Sequence, residues 1–338
     1  DLCINKGARD GCNLLLFMCL FLLPVSAHAE GIDGVNAKSS ILIEQSTGMV
    51  LAESEADERL PIASVTKIMT MLLIMERIDS GTLSYDDMVS VSENAMSYGG
   101  STMFLEAGEQ LSVRDMLKGI AVASANDGCV AMAEHIAGSE SAFVDMMNER
   151  AGELGMENTH FMNTNGLDED DHYSSARDVA LMSRELLMHP GITEYTSIWT
   201  DELRGGKFKL ANTNKLVRFY TGANGLKTGS TSKALCCLSA SAVRDDMQLI
   251  AVVLGAPTSN ERFASARALL DYGFANYAIT RFCAAGETVT DADVINGVSP
   301  TVKALTKEEK TLIGAKTEAG ETERQVRLND NITAPISA

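Results

Sequence analysis

The chain of 338 residues has 45% apolar and 22% charged residues, a composition typical of globular proteins that argues against a disordered or fibrous chain. Its length allows one large domain and a small one. The formal net charge of −18 at pH 7 predicts no nucleic-acid partner and no binding to anionic lipid through bulk charge, because both would be repelled.

The N-terminal segment has the three parts of a secretory signal. Lys6 and Arg9 precede an apolar run over residues 14–25, and a small-x-small site ends at Ala29. The run is shorter than the ~20 residues that cross a bilayer. We therefore predict export and cleavage after Ala29, with an uncleaved N-terminal anchor as the alternative.

A hairpin and a long helix are the first predicted elements of the fold. Apolar stretches on either side of a Ser-Thr-Gly turn within residues 40–53 are typical of two paired strands. Apolar residues then recur at i, i+3, i+4 and i+7 over about residues 64–79, which predicts a helix. The additional apolar residues Ile74 and Ile78 indicate that this helix is mostly buried.

Helices are predicted for the middle of the chain, and strands follow. Ser112 and Asp115 form a capping box that opens a group of helices over residues 112–155, with a break at 124–127. Another helix is predicted from Ala176 to Met188. Three strands and a closing helix come next, at residues 225–229, 234–243, 247–254 and 258–277. Strands at both ends with helices between them predict one sheet in a mixed α/β (α+β) fold.

The last part of the chain contains short strand-like pieces separated by turn residues, at 288–294, 301–305 and 311–313. Because the sequence stops without a closing element, we expect a β-rich domain that is only partial. The expected organisation is a signal peptide at 1–29, a main domain at 30–280 and the β-rich domain at 281–338.

Four cysteines follow the signal segment, namely Cys129, Cys236, Cys237 and Cys283. Adjacent Cys236 and Cys237 would point to opposite faces of a strand and should not pair with each other. No C-x-x-C pattern is present. We predict that all four are buried small apolar residues.

Ser64 and Lys67 form a Ser-x-x-Lys pattern at the start of the predicted buried helix. At i and i+3 a hydroxyl and an amine share one helix face, and the helix N-terminus adds partial positive charge. A serine hydroxyl is a weak nucleophile until a base takes its proton. A lysine can be that base only where burial or another cation lowers its pKa. The pattern predicts a serine nucleophile with a lysine base.

A second pattern, Ser124-Ala-Asn126, lies at the predicted break between two helices. Its hydroxyl and amide could face the same cleft, relay a proton and hold a substrate amide. The third pattern, Lys227-Thr-Gly229, lies on a predicted strand, where the ammonium could keep a nearby lysine neutral and polarise a substrate carboxylate. Gly229 would let a substrate backbone approach closely.

The backbone N–H groups of Ser64 and Ser230 could together form an oxyanion hole. Each pattern is weak by itself, since Ser-x-x-Lys recurs at Ser230–Lys233 and Ser-x-Asn at Ser92–Asn94. Turn serines, helix caps and surface lysines explain such repeats more simply. The prediction depends on three patterns in one order, each in a suitable context, on a chain with an export signal.

This combination resembles the low-molecular-mass penicillin-binding proteins of D-alanyl-D-alanine carboxypeptidase type. The resemblance covers about residues 36–280. The stretches that carry it are Ile62–Thr70, Ser112–Asp115, Ala123–Asp127, Asn158–Phe161, Asn165–Asp168, Tyr173–Asp178 and Gly225–Thr231. It implies a β-lactamase/transpeptidase-like domain with a helical subdomain. It also implies a β-rich C-terminal domain, which we expect to be cut short here. Members of the family usually continue into an amphipathic anchor for peripheral membrane contact, which we do not expect in this sequence.

The resemblance also implies a reaction and its residues. Ser64 would be acylated by a peptidoglycan stem pentapeptide, releasing the terminal D-alanine, with Lys67 as general base and Ser124 completing the catalytic group. The substrate-binding residues that it implies are Asn126, Lys227, Thr228, Gly229, Ser230 and Arg262. Arg262 matches an arginine that helps to bind the terminal carboxylate. Neither a metal nor a cofactor is expected, and β-lactam antibiotics should acylate the same serine.

Several alternatives stay open at this point. A serine β-lactamase shares the nucleophile, although no Glu-x-x-Leu-Asn lies between the second and third patterns. A D,D-endopeptidase of the same superfamily is also possible. A zinc peptidase would need grouped ligands, whereas the histidines are scattered at His135, His160, His172 and His189. A non-catalytic wall-binding protein would be expected to have lost the nucleophile or the lysine.

Overall fold

The computed structural model describes residues 2–3, 13–14, 32–318, 326 and 332–333. Apart from its two short pieces, the predicted signal peptide lies outside the described residues and stays a prediction. None of the described helices is both long enough and apolar enough to cross a membrane. The chain divides into two compact units, one at residues 27–275 and one at residues 276–338 together with residues 1–26.

The larger unit is built on one antiparallel sheet of five strands. Their spatial order is Val50–Ser54, Ser39–Glu44, Met247–Ala256, Leu235–Arg244 and Ala223–Thr231. The first two strands of this unit join the three strands from its end through the pairing of Ser39–Glu44 with Met247–Ala256. This confirms the sheet predicted from both ends. The Ala223–Thr231 strand is an edge strand of this sheet.

The Lys67–Asp79 helix is the centre of the larger unit, and its residues from Lys67 to Met75 are all buried. Apolar residues on every side of its first nine positions explain this burial. The predicted start near residue 64 needs one refinement. Ser64 lies in a 3₁₀ turn, Ala63–Thr66, that leads into the α-helix, and Ala63 has a left-handed φ of 48°.

Helices pack on both faces of the sheet, because Ser183 of one helix contacts Ser239 on one face, whereas Gly273 of the last helix lies against Leu42 and Leu249 on the other. The α-helices are Glu93–Met96, Val113–Lys118, Asn126–Ala137, Glu140–Glu153, Ala176–Leu186, Thr193–Thr196, Leu216–Phe219 and Ser259–Asn276, with a π-helix at Gly119–Ala123 and 3₁₀ turns at Pro190–Ile192 and Lys316–Glu318. The predicted helix cap at Ser112 is confirmed, because its hydroxyl accepts a hydrogen bond from the Asp115 N–H at 3.2 Å. Two short antiparallel strand pairs were not predicted: Met88–Ser90 with Gln110–Ser112, and Thr200–Leu203 with Phe208–Ala211.

The smaller unit is rich in strands, as the sequence predicts. Its strands are Tyr277–Cys283, Thr288–Ile295, Thr301–Thr306 and Lys310–Ala315. The first and last of these pair with each other, and the middle two form a second antiparallel pair. Leu2–Cys3 adds to the Thr301–Thr306 strand, Asn13–Leu14 pairs with Leu2–Cys3, and Ile332–Thr333 runs parallel to Thr288–Ile295.

The four cysteines that follow the predicted signal segment are free thiols. Cys129, Cys237 and Cys283 are buried, which confirms the prediction for them, whereas Cys236 is half-buried. Cys236 and Cys237 occupy successive positions of one strand and therefore face opposite sides of the sheet.

Candidate active site

The Ser64 hydroxyl and the Lys67 amine lie together at the start of the buried helix. Lys67 Nζ is 2.9 Å from Ser64 Oγ, 2.7 Å from Asn126 Oδ1 and 2.6 Å from the backbone oxygen of Asn165. The last two oxygens can only accept hydrogen bonds, so each takes one N–H of the amine. A neutral amine has two N–H groups and one lone pair, and the lone pair then faces Ser64 Oγ. This geometry suits an amine that removes the hydroxyl proton.

Burial lowers the pKa of Lys67 to about 8. The charges of Cys129 and Asp127 oppose this shift and favour the ammonium form. The Asp127 carboxylate is itself held by backbone N–H groups, including those of Met103 at 3.0 Å and Leu105 at 3.1 Å. A lysine with this pKa is neutral in an appreciable fraction of molecules near neutral pH.

Asn126 reaches Lys67, and Ser124 lies two positions before it, because the preceding helix is interrupted. Ser124 is buried and has a left-handed φ of 62°, which ends the Gly119–Ala123 π-helix and lets a new helix begin at Asn126. The Asn126 amide donates to Gly99 O at 2.7 Å, and its backbone N–H donates to Ser101 O at 2.7 Å. These bonds orient Oδ1 toward Lys67.

The loop at Asn163–Gly166 contributes a partner that sequence reasoning missed. Asn165 supplies the backbone oxygen for Lys67, and Asn163 Oδ1 accepts the Gly166 N–H at 2.7 Å, which shapes the turn. Gly166 has φ +87°, and a Cβ there would lie 1.9 Å from Ala63 O, so only glycine fits. The resemblance included Asn165 and Gly166, but a backbone carbonyl has no signal in a sequence.

Lys227 is the second buried lysine of the site. Its Nζ donates to Thr228 O at 2.9 Å, and no carboxylate among residues 32–318 forms an ion pair with it. Burial lowers its pKa well below the usual value, and the charges of Lys67 and Arg262 lower it further. An anion bound beside Lys227 would oppose both effects and raise this pKa.

Gly229 brings the edge strand against the Ser64 turn. A Cβ at Gly229 would lie 2.7 Å from Ile62 O and 2.9 Å from Ser64 N, so the absence of a side chain is what lets the two backbones approach. We expected this glycine to make room for a substrate backbone, and the structure gives a second reason for it. Ser230 follows at an exposed position, next to the turn.

Thr228 and Arg262 are held by other parts of the protein. Thr228 Oγ1 is 2.6 Å from Thr213 Oγ1. Arg262 Nη1 donates to Gly229 O at 3.1 Å and to Cys237 O at 3.4 Å, and burial lowers its pKa. The guanidinium therefore ties the edge strand to its neighbour, while its Nε is buried without a partner in the described residues.

Glu140 connects the two loops that surround Lys67. Its carboxylate accepts hydrogen bonds from the Tyr98 hydroxyl and from Thr164 Oγ1, the latter at 2.8 Å. Tyr98 precedes the residues that hold Asn126, and Thr164 precedes Asn165. Burial and the Glu140 contact raise the pKa of Tyr98. No sequence pattern singled out this glutamate.

The repeated patterns have ordinary structural roles. Ser92 caps the Glu93–Met96 helix by accepting from the Ala95 N–H at 2.9 Å, and Lys233 is exposed with Asp170 Oδ1 3.4 Å from its amine. His189 pairs with Asp79 at 2.5 Å. Within the part of the chain that the structure describes, no three histidine, cysteine or acidic side chains gather into a group that could bind a metal.

Comparison with known proteins gives consistent matches. A family model described as D-alanyl-D-alanine carboxypeptidase matches residues 25–258. The D-alanyl-D-alanine carboxypeptidase DacF of Bacillus subtilis is 47% identical over 304 residues, which are 89% of this chain and 78% of that protein.

Solved structures show the same fold. Penicillin-binding protein 5 from Haemophilus influenzae has a TM-score of 0.80 and 33% identity, covering 89% of both chains. Penicillin-binding protein D2 from Listeria monocytogenes, in its ampicillin-bound form, has a TM-score of 0.62 and 33% identity over 70% of this chain and 97% of that one. The larger unit therefore has the transpeptidase-like fold that the sequence predicts.

Proposed function

Because this chain belongs to the D-alanyl-D-alanine carboxypeptidase family and is a serine-type peptidase, we propose that Ser64 is its acylated nucleophile and Lys67 the general base. The observation that carries this proposal is the set of hydrogen bonds around Lys67. Asn126 Oδ1 and Asn165 O accept the two N–H groups of the neutral amine, so its lone pair is left to face Ser64 Oγ. Burial supports the neutral form that a base requires.

The electrophile is the carbonyl of the penultimate D-alanine of a peptidoglycan stem peptide. As Ser64 Oγ attacks, its proton passes to Lys67 and the carbonyl oxygen becomes negative. The backbone N–H groups of Ser64 and Ser230 stabilise that oxygen. The close approach of Gly229 to Ser64 N supports this pairing, since it brings the strand end beside the nucleophile.

Lys227 binds the terminal carboxylate of the substrate. A fully buried lysine that lacks an ion-pair partner among residues 32–318 is a site where an anion gains a strong, water-excluded interaction. Arg262 contributes by holding Gly229 and adding positive charge nearby. Asn126 and Thr228 line the same side, and their side chains bind the peptide backbone.

The acyl-enzyme then forms as the D-alanine amine leaves with a proton returned through Ser124, and water later hydrolyses the ester. A β-lactam ring presents a strained amide next to a carboxylate and so acylates Ser64 by the same steps. The ampicillin-bound form of the Listeria monocytogenes relative supports this part of the proposal. We also propose that the chain is exported through residues 1–29 and acts outside the cytoplasm.

The test is covalent labelling with a fluorescent penicillin, followed on a denaturing gel, together with release of D-alanine from a stem pentapeptide. The wild-type protein should show a labelled band and D-alanine release, and Ser64→Ala should show neither. Labelling that persists in Ser64→Ala would reject Ser64 as the nucleophile. A labelled adduct that decays within seconds, with fast penicillin turnover, would indicate a β-lactamase instead.

A further inference from the structure

A buried hydrogen-bond chain runs from His172 to the turn that carries Ser64. His172 Nε2 is 2.8 Å from Thr66 Oγ1, and Thr66 Oγ1 donates to Ala63 O at 2.8 Å. Met162 N–H donates to the other ring nitrogen, His172 Nδ1, at 3.0 Å. These hydrogen bonds thus link the loop that contains Met162 to both ends of the 3₁₀ turn around Ser64.

The direction of each bond follows from the groups involved. A backbone N–H can only donate, so His172 Nδ1 must be the acceptor, and the proton of a neutral ring lies on Nε2. A carbonyl can only accept, so the single Thr66 hydroxyl proton points to Ala63 O. Thr66 Oγ1 therefore accepts from His172 Nε2, and both ends of the chain require the same tautomer.

His172 is suited to keep this tautomer. The residue is 6% exposed, and burial lowers its pKa to about 4, with the charges of His160 and Lys67 acting in the same direction and Asp168 opposing them. At neutral pH the ring is uncharged, so Nδ1 keeps the lone pair that the Met162 N–H needs.

The turn that receives this chain needs support. Ala63 adopts a left-handed φ of 48°, which is unfavourable for a residue with a side chain. Its carbonyl is fixed on one side by the Thr66 hydroxyl, and on the other it lies against Gly166, where a Cβ would come within 1.9 Å. Ser64 is the next residue, so the position of its Oγ relative to Lys67 depends on how firmly Ala63 is held.

We propose that His172 is a positioning residue for the acylation step, which acts through the Thr66 hydroxyl to hold the Ser64 turn in its reactive conformation. The inference rests on the proposed role of Ser64 as nucleophile. His172 does not touch the substrate or the reacting atoms. Its contribution is the fixed separation of Ser64 Oγ and Lys67 Nζ, a distance on which proton transfer depends steeply.

Two pairs of variants separate this role from a general effect on folding. His172→Gln can place an amide donor near the position of Nε2, whereas His172→Asn can replace only the acceptor at Nδ1. Thr66→Ser keeps the hydroxyl, whereas Thr66→Val removes it at nearly constant volume. Binding of a fluorescent penicillin before acylation and the acylation rate constant are measured separately by stopped flow, with the melting temperature of each variant recorded.

The proposal expects His172→Asn and Thr66→Val each to lower the acylation rate constant about ten- to hundredfold while the initial dissociation constant changes less than about twofold. His172→Gln and Thr66→Ser should stay within about threefold of wild type. The double variant His172→Asn/Thr66→Val should be no slower than either single variant, because one chain is broken in all three.

The outcomes separate the two proposals. If wild type is not labelled at Ser64, the proposed function fails and this inference fails with it. If wild type is labelled and Thr66→Val acylates at the wild-type rate, His172 has no such role, whatever the folding of the His172 variants. If His172→Gln is as slow as His172→Asn, the donor to Thr66 is not what matters and the inference is wrong.

Discussion

Two buried lysines of the candidate site are close enough to repel each other, and their surroundings differ in one decisive respect. Lys67 has three oxygen partners within 2.9 Å, from three different parts of the chain. Lys227 has a single hydrogen bond among the described residues, to the carbonyl of its neighbour Thr228. Both amines have a pKa lowered by burial, and Lys227 is also repelled by Lys67.

The difference indicates that folding alone completes the surroundings of Lys67, whereas those of Lys227 are completed only when a ligand binds. The surroundings of Lys67 are complete in the folded protein, which agrees with its proposed role as a base that is oriented before the reaction. Those of Lys227 are incomplete, and a buried cation without a partner lowers stability. Such an arrangement is kept where a ligand supplies the missing charge, and the variants below are chosen to test it.

The largest expected effect comes from removing the base. Lys67→Met fills the same buried space without an amine, and we expect the rate constant for penicillin acylation to fall about 10³-fold. The matched control is Lys233→Met, which removes the lysine of the second Ser-x-x-Lys pattern from an exposed position. It should change the rate less than about twofold. A Lys67→Met protein that acylates normally would mean that another group takes the Ser64 proton.

Removing the second lysine should weaken substrate recognition and strengthen the fold. For Lys227→Met we expect kcat/KM on a peptide ending in D-Ala-D-Ala to fall about 100-fold, because a charge-assisted bond to the carboxylate is lost. The same peptide with an amidated C-terminus should lose much less.

The free energy of unfolding of Lys227→Met, from urea denaturation, should rise by about 1 kcal/mol, since an unpaired buried cation is gone. Lys215→Met, at an exposed position, serves as the control and should change neither quantity. If Lys227→Met is instead less stable than wild type, the Lys227 amine is stabilised without a ligand. The inferred difference between Lys67 and Lys227 is then wrong.

The pH dependence of acylation should follow Lys67. Its pKa is lowered to about 8, so the amine is protonated below that pH and cannot accept the Ser64 proton. The acylation rate constant should therefore fall about tenfold for each pH unit below 8 and level off above it. Stopped-flow labelling between pH 6 and 9.5 measures this, with circular dichroism to check folding. A profile that is flat across pH 8 would contradict the lysine-base assignment.

The smallest expected effect is at Glu140, which lies behind the site. Glu140→Gln removes the charge and replaces one accepting oxygen with a donor, so the charge-assisted bond to the Tyr98 or the Thr164 hydroxyl becomes a weaker neutral one. We expect the free energy of unfolding to fall by about 1–2 kcal/mol and the acylation rate constant to fall roughly threefold, because both loops around Lys67 lose part of their support. Glu149→Gln, exposed on the same helix, is the control. If the two substitutions change the unfolding free energy and the acylation rate equally, Glu140 does not support the site.

Much of this protein follows from short-range patterns in the sequence. The order of helices and strands and the Ser112 cap depend on local periodicity and on residues three or four positions apart. The sheet built from both ends of the larger unit follows from that order of elements, although its strand pairing, such as Ile43 with Ile250, is long-range. Ser64 and Lys67 belong to the same class of signal, because three residues along a helical turn place a hydroxyl and an amine side by side.

Tertiary structure alone decided what those residues touch. Asn126 is 59 positions from Lys67, the Asn165 carbonyl is 98 positions away, and His172 is 106 positions from Thr66. A backbone oxygen or a ring tautomer has no counterpart in the sequence, and contacts of this separation exist only after the loops close on the helix. The sequence therefore determined which groups the site contains, whereas burial and loop closure decided the pKa of Lys67, the unpaired state of Lys227 and the hold on the Ser64 turn.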